Sequence, residues 1–226
     1  MNITKTLTAL AASSLLYCFS PSQSSAVIIG GIDFPSGATS FADAVSSYSP
    51  GTNVGPGWND PNTALGTPDF TGGPNRTVSL GTGGSLVLQF TDNALTTSGD
   101  ATHDLHIFEV GSVVEAMNIA ISEDGITFID LGDVSGQPTS LDIDGVAGVT
   151  GGTLYSFVRI SDILPNQSRS PFAEADIDAV GAISSAPNGN GNGGGAAVPE
   201  PNTMALLGLG LVAAFGYNRK KKQSKN

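Results

Sequence analysis

The stretch Met117-Asn118-Ile119-Ala120-Ile121-Ser122-Glu123-Asp124-Gly125-Ile126-Thr127-Phe128-Ile129-Asp130-Leu131 decides the fold class. Met117, Ile119 and Ile121 alternate with Asn118, Ala120 and Ser122, so an extended segment has one apolar face to set against a core. Asp124-Gly125 tolerates the backbone of a tight turn, and residues 126–131 return as the second strand of a hairpin. Working outward, other short apolar runs have the same character. Residues 85–90 follow a Gly83-Gly84 turn, and 105–110, 139–143, 154–161 and 176–183 add four further strands. No part of the middle of the chain sustains a 3.6-residue apolar period. The expectation is one all-β domain over residues 27–185, a two-sheet antiparallel sandwich that buries half-apolar strands against each other.

Of 226 residues, 30 are glycine, 13 are proline and only 13% are charged, with a formal net charge of −11. That composition excludes a coiled coil, a long helical bundle and a nucleic-acid binder working through excess Lys and Arg. The average hides a division. Lys5 lies near the N-terminus and Arg219, Lys220, Lys221, Lys222 and Lys225 crowd the C-terminus. Between Val27 and Ser185 stand 19 acidic residues against Arg76, Arg159 and Arg169, a net charge of −16 without a single lysine. Such a domain repels nucleic acid and favours divalent cations.

Both ends read as addresses. Lys5, an apolar run over 7–19 and a small-residue stretch ending Ser24-Ser25-Ala26 are the three regions of a secretory signal peptide, 1–26, cleaved after Ala26 by the secretion machinery. The apolar run is too short for a spanning helix, which takes roughly 18 residues. Cys18, the only cysteine, lies inside this leader behind the bulky Tyr17, which argues against lipidation. The exported domain therefore has no disulfide and depends on its core.

At the other end, residues 186–197 form a Gly/Asn-rich tether that buries almost nothing. Val198-Pro199-Glu200-Pro201 follows, then an apolar segment over 204–217, then Arg219-Lys220-Lys221-Lys222 as a basic stop that stays cytoplasmic. As a helix the apolar segment reaches about 21 Å, short of a hydrocarbon layer of roughly 30 Å. This order resembles the PEP-CTERM sorting signal of Gram-negative bacteria, over residues 198–226. The resemblance implies transient membrane insertion through a short C-terminal transmembrane helix. It also implies an exosortase-like transpeptidase as partner, recognising Pro199, Glu200 and Pro201 and cutting nearby, and delivery to the cell surface or extracellular matrix.

The domain has its own landmarks. Phe41-Ala42-Asp43-Ala44-Val45 precedes Tyr48-Ser49-Pro50-Gly51, Ala64-Leu65-Gly66-Thr67-Pro68-Asp69 and Ser79-Leu80-Gly81 with Gly83-Gly84-Ser85-Leu86. Then come Asp104-Leu105-His106-Ile107-Phe108-Glu109-Val110-Gly111, Ile121-Ser122-Glu123-Asp124-Gly125 and Ala175-Asp176-Ile177-Asp178-Ala179-Val180-Gly181-Ala182-Ile183. Together they resemble bacterial cell-surface domains related to jelly-roll, galactose-binding-like modules. The resemblance implies a jelly-roll sandwich and, in such modules, a structural calcium near the ends. It transfers neither ligand nor activity.

Carboxylates are the only abundant reactive groups. Glu174, Asp176 and Asp178 sit together, and i and i+2 on a strand point the same way, so calcium is the cofactor that would relieve their repulsion. The alternative is a solvated acidic edge. Asp92, Asp100, Asp104, Asp142 and Asp144 read as surface acids. Asp142-Ile143-Asp144-Gly145 fails as an EF-hand, because Gly151 stands where the bidentate Glu belongs. His103 and His106 lack the partners of a zinc site, and no nucleophile elbow, phosphate loop or dinucleotide fingerprint occurs. Trp58, the sole tryptophan, stands in Gly55-Pro56-Gly57-Trp58-Asn59-Asp60-Pro61. It reads either as a plug closing one end of the sandwich or as a face for stacking a sugar ring, the plug being the reading preferred. The function expected is therefore a non-enzymatic surface or polysaccharide-matrix protein. The competing readings are a calcium-assisted carbohydrate-binding module and, behind it, a secreted hydrolase built on a carboxylate pair.

Overall fold

The computed structural model describes residues 25–111, 113–163 and 174–188. Nearly all of the leader, most of the tether and the whole sorting tail lie outside the described residues. Thirteen strands run β1 (Val27–Ile29), β2 (Ile32–Phe34), β3 (Ala44–Ser49), β4 (Val78–Ser79), β5 (Ser85–Gln89), β6 (Asn93–Leu95), β7 (Leu105–Val110), β8 (Ala116–Ser122), β9 (Ile129–Ser135), β10 (Thr139–Leu141), β11 (Phe157–Asp162), β12 (Asp176–Ala182) and β13 (Ser185–Pro187). Two 3-10 turns, Gly37–Ser40 and Pro61–Ala64, are the only helical segments among the described residues. The fold is all-β with antiparallel pairing throughout the described strands.

A five-stranded sheet has the order β3-β5-β11-β8-β9 and a four-stranded sheet the order β10-β7-β12-β4. Register explains why they hold together. Leu88 pairs with Val158 and Val158 with Ile121, while Leu86 pairs with Ile160 and Ile160 with Ile119, giving two apolar rows on one face of the larger sheet. In the smaller sheet Ile107 pairs with Val180 and Leu105 with Ala182. All of these side chains fall in one buried cluster with Tyr155, Phe90 and Leu95. Each fully buried Leu or Ile in it contributes about 1.5–3 kcal/mol of transfer free energy.

The Asp-Gly hairpin forms between β8 and β9 with a longer connection than the sequence suggests. Asp124 accepts from the amides of Ile126 and Thr127, both 2.8 Å, and Gly125 takes φ +73°. The return strand starts at Ile129, not at Ile126, which is left 84% exposed at the tip.

The outer face of the four-stranded sheet is covered in part by the β1–β2 hairpin, which the sequence reading passes over. Gly30 and Gly31 take φ +60° and +83°, the two positive values of a two-residue turn that matches strand twist. Phe34, Phe41, Phe108 and Ala179 form a second core beneath it. Gly181 is required there, since a Cβ would stand 2.6 Å from Phe34 Cε1 and 3.0 Å from Phe41 Cε1. His106 packs edge-on to Phe108 at 4.5 Å, and its Nδ1 lies 2.6 Å from Ser140 Oγ. Burial holds its imidazole down to about 4, so the ring is neutral at pH 7. The fold also continues past Ser185. Strand β13 pairs with β6, and the Asn188 amide donates to Asp92 O at 3.1 Å.

Candidate functional site

The remaining outer face of the four-stranded sheet meets the long connection between β3 and β4. Its Trp58 turn is fixed by backbone bonds, with Trp58 N donating to Gly55 O at 3.1 Å and Ser79 N donating to Trp58 O at 2.8 Å. Gly57 takes φ +82°, and a side chain there would also press on Pro74, 2.8 Å from the position of its Cβ. Further along, Asp60 Oδ1 accepts from Asn62 N at 3.0 Å and caps the short turn over Pro61–Ala64.

Between this connection and the sheet end lies a cleft of about 630 Å³, whose walls include Asn53, Trp58, Phe70, Ser79, Gly111 and Asp176. The floor is set by register. Asp176 of β12 pairs with Ser79 of β4 on one side and with Val110 of β7 on the other, and Gly111 follows Val110. Tyr48 anchors the floor from below, its hydroxyl donating to Ser79 O at 2.7 Å. Trp58 is half-buried and belongs to neither core cluster. It is a wall of the cleft.

Asp176 is the ionisable residue on those walls. Burial pushes its carboxyl up to about 6, a hydrogen bond from Ser79 opposes the rise, and the charge of Glu174 adds to it. Behind the floor stand two more buried acids, Glu109 and Glu115. Glu109 is pushed up by desolvation first and then by Glu115. Glu115 is likewise raised by burial first, so the pair keeps a proton to higher pH than a free glutamate does. Gln137 Nε2 donates to Glu109 Oε1 at 3.4 Å. Residue-by-residue reading missed this pair. The signal available was a glutamate embedded in the apolar strand 105–110.

The structure does not bring Glu174, Asp176 and Asp178 to one point. Ile177 pairs with Glu109 but Ala179 with Phe108, so Asp178 is the extra residue of a β-bulge and the strict alternation expected of the strand breaks there. Asp178 accepts from the amides of Asp69 and Phe70, both at 3.3 Å, and thereby pins the segment that carries the cleft wall Phe70. Glu174 accepts from the Thr82 hydroxyl, and Asp176 faces Ser79. Among the described residues the group of three acids whose oxygens lie within 4.8 Å of one another is instead Asp104, Asp142 and Asp144. These are already engaged with the chain. Asp104, fully buried, accepts from Ser98 N at 2.7 Å and Ile143 N at 2.9 Å, Asp144 accepts from Ser98 Oγ at 3.0 Å and Gly99 N at 2.9 Å, and Asp142 accepts from Asp144 N at 2.8 Å. The trio ties the connection between β6 and β7 to that between β10 and β11.

Positive charge is scarce around this site. Arg76 pairs with Asp69 at 3.4 Å and Arg159 stacks over Phe128 at 4.4 Å, and these are the only Lys or Arg side chains among the described residues. The destination of the protein is carried by the other end of the chain.

Residues 197–220 match the PEP-CTERM protein-sorting motif.

The match takes in Val198, Pro199, Glu200, Pro201, Arg219 and Lys220, with Lys221 and Lys222 just beyond it. The motif implies an exported protein, sorted to the cell surface and processed by an exosortase. Among curated proteins none matches the chain. No helix among the described residues is long and apolar enough to cross a membrane, and the apolar segment over 204–217 lies outside them.

Proposed function

We propose that this is a non-enzymatic component of the cell surface or extracellular polysaccharide matrix, held to that polysaccharide by the cleft beside Trp58. In this reading the five-stranded and four-stranded sheets are the layers of a jelly-roll sandwich of the galactose-binding kind, and their shared core supports that view. After secretion, the tail holds the chain briefly in the inner membrane, and exosortase cleavage then sends the domain to the surface.

One observation carries the sugar-binding reading. The cleft sets the indole of Trp58 and the ring of Phe70 beside Asn53, Ser79 and Asp176. An aromatic face that covers the C–H face of a pyranose, with amide, hydroxyl and carboxylate groups at its rim, is the chemistry a sugar ring needs. Glu174 accepts from the Thr82 hydroxyl and Asp178 from the amides of Asp69 and Phe70, so this reading calls on Asp176 and the aromatic walls and needs no calcium. A pull-down of the full chain on insoluble exopolysaccharides tests the proposal. Wild type is retained selectively and Trp58→Ala is not. Equal retention of the two proteins would leave a passive matrix component.

A further inference from the structure

The cleft's charge selects among sugars. Asp176 is the ionisable group on its walls, and the groups that act on it electrostatically or by hydrogen bonding are Glu174, Glu109, Glu115, Tyr48 and Ser79. None of these supplies a positive charge. Arg76 is held by Asp69, and Arg159 lies over Phe128 on the five-stranded sheet. A carboxylate there is desolvated and has only the Ser79 hydrogen bond to offset that cost. Trp58 and Phe70 put two aromatic side chains on the walls of the same cleft as that carboxylate.

An ammonium group entering this cleft gains a charge-assisted hydrogen bond with Asp176 and contact with an aromatic face. A uronate or sulfate meets a carboxylate within a domain carrying −16 over residues 27–185, and is repelled. A neutral sugar gains the stacking without the ion pair.

Building on the sugar-binding reading, we propose that the cleft beside Trp58 recognises a polysaccharide containing free amino sugars, with Asp176 as the group that binds the sugar ammonium. Asp176 is thus a specificity-determining residue, and the aromatic walls supply binding common to any pyranose.

Isothermal titration at pH 6.5 and low salt tests this with the full chain. The probes are β-1,4- and β-1,6-linked glucosamine hexamers, their N-acetylated counterparts and an oligogalacturonate. The better-bound glucosamine hexamer should bind at least about tenfold tighter than its N-acetylated form, the value of one charge-assisted bond, and oligogalacturonate should not bind. Asp176→Asn should bring the two hexamers to within about twofold while leaving the N-acetylated one bound. Raising salt to about 0.5 M should erode the preference in wild type, a readout that needs no variant. The proposal is overturned if the N-acetylated hexamer binds as well as the amino form, or if the preference survives Asp176→Asn. Either result leaves sugar binding standing. If no oligosaccharide binds wild type, or Trp58→Ala binds unchanged, the sugar-binding reading falls and this one with it.

Discussion

Replacing Asp176 with Asn should change how stability depends on pH, and the sign follows from the cleft floor. In the unfolded chain the Asp176 carboxyl titrates near 3.8, and in the fold burial raises it to about 6. Between those values the folded state binds more protons than the unfolded state, so this group's contribution is fully present below about pH 4 and is lost as pH rises through about 6. A shift of about two units corresponds to roughly 3 kcal/mol, an upper figure because the side chain keeps some contact with solvent. Asn has the shape of the protonated acid and never ionises. Urea unfolding of the full chain and of Asp176→Asn at pH 4 and pH 8 isolates the effect, because every unaltered acid cancels in the double difference. The variant should gain about 2–3 kcal/mol on wild type between the two pH values. Glu109 and Glu115 are the exceptions to that cancellation: the Asp176 charge raises both, so its removal adds in the same direction. A double difference within about 0.5 kcal/mol of zero, or of opposite sign, would show that Asp176 is not desolvated and refute the account of the floor.

Three further outcomes follow from the packing and the tail. Gly181→Ala drives a methyl into Phe34 and Phe41 and should cost about 1–3 kcal/mol by thermal unfolding. The cost should shrink in a Phe34→Ala background, where the obstructing ring is gone. Asp104→Ala leaves the Ser98 and Ile143 amides without acceptors and should cost roughly 3 kcal/mol, by the same amount in EDTA as in millimolar calcium. Replacing Pro199, Glu200 and Pro201 with Ala should leave the C-terminal segment attached in the exporting cell, seen as a higher mass for the surface-extracted protein.

The strands legible in the sequence are those whose two faces differ. Strand β7 has the bounds read from the sequence, and β8 differs by one residue, because Leu105, Ile107, Met117, Ile119 and Ile121 all go to one core. Strand β3 was not legible: Ala-Val-Ser-Ser-Tyr-Ser is short of apolar residues, and it holds its place at the sheet edge by pairing with β5. The β1–β2 hairpin had a Gly-Gly signal, hidden by its position directly after the leader. Bulges at Asp178 and beside Gly132 belong to register, which no single strand encodes.

The site was legible only as fragments. Trp58 stood out as the sole tryptophan and Asp176 as one of a row of acids, and nothing local connects them. The link is Ser79, whose amide holds Trp58 O while its own strand pairs with Asp176. Long-range pairing made the cleft, and the same pairing separated the carboxylates expected to share calcium.

Because Trp58 is the only tryptophan in the chain, its fluorescence reports on the proposed site alone. Titrating the full chain with extracellular polysaccharide and following that emission tests the central claim directly. The account predicts a saturable change in intensity or wavelength, with half-saturation matching the affinity measured by pull-down. Retention on the polysaccharide without any change in the Trp58 emission would place binding elsewhere and contradict it.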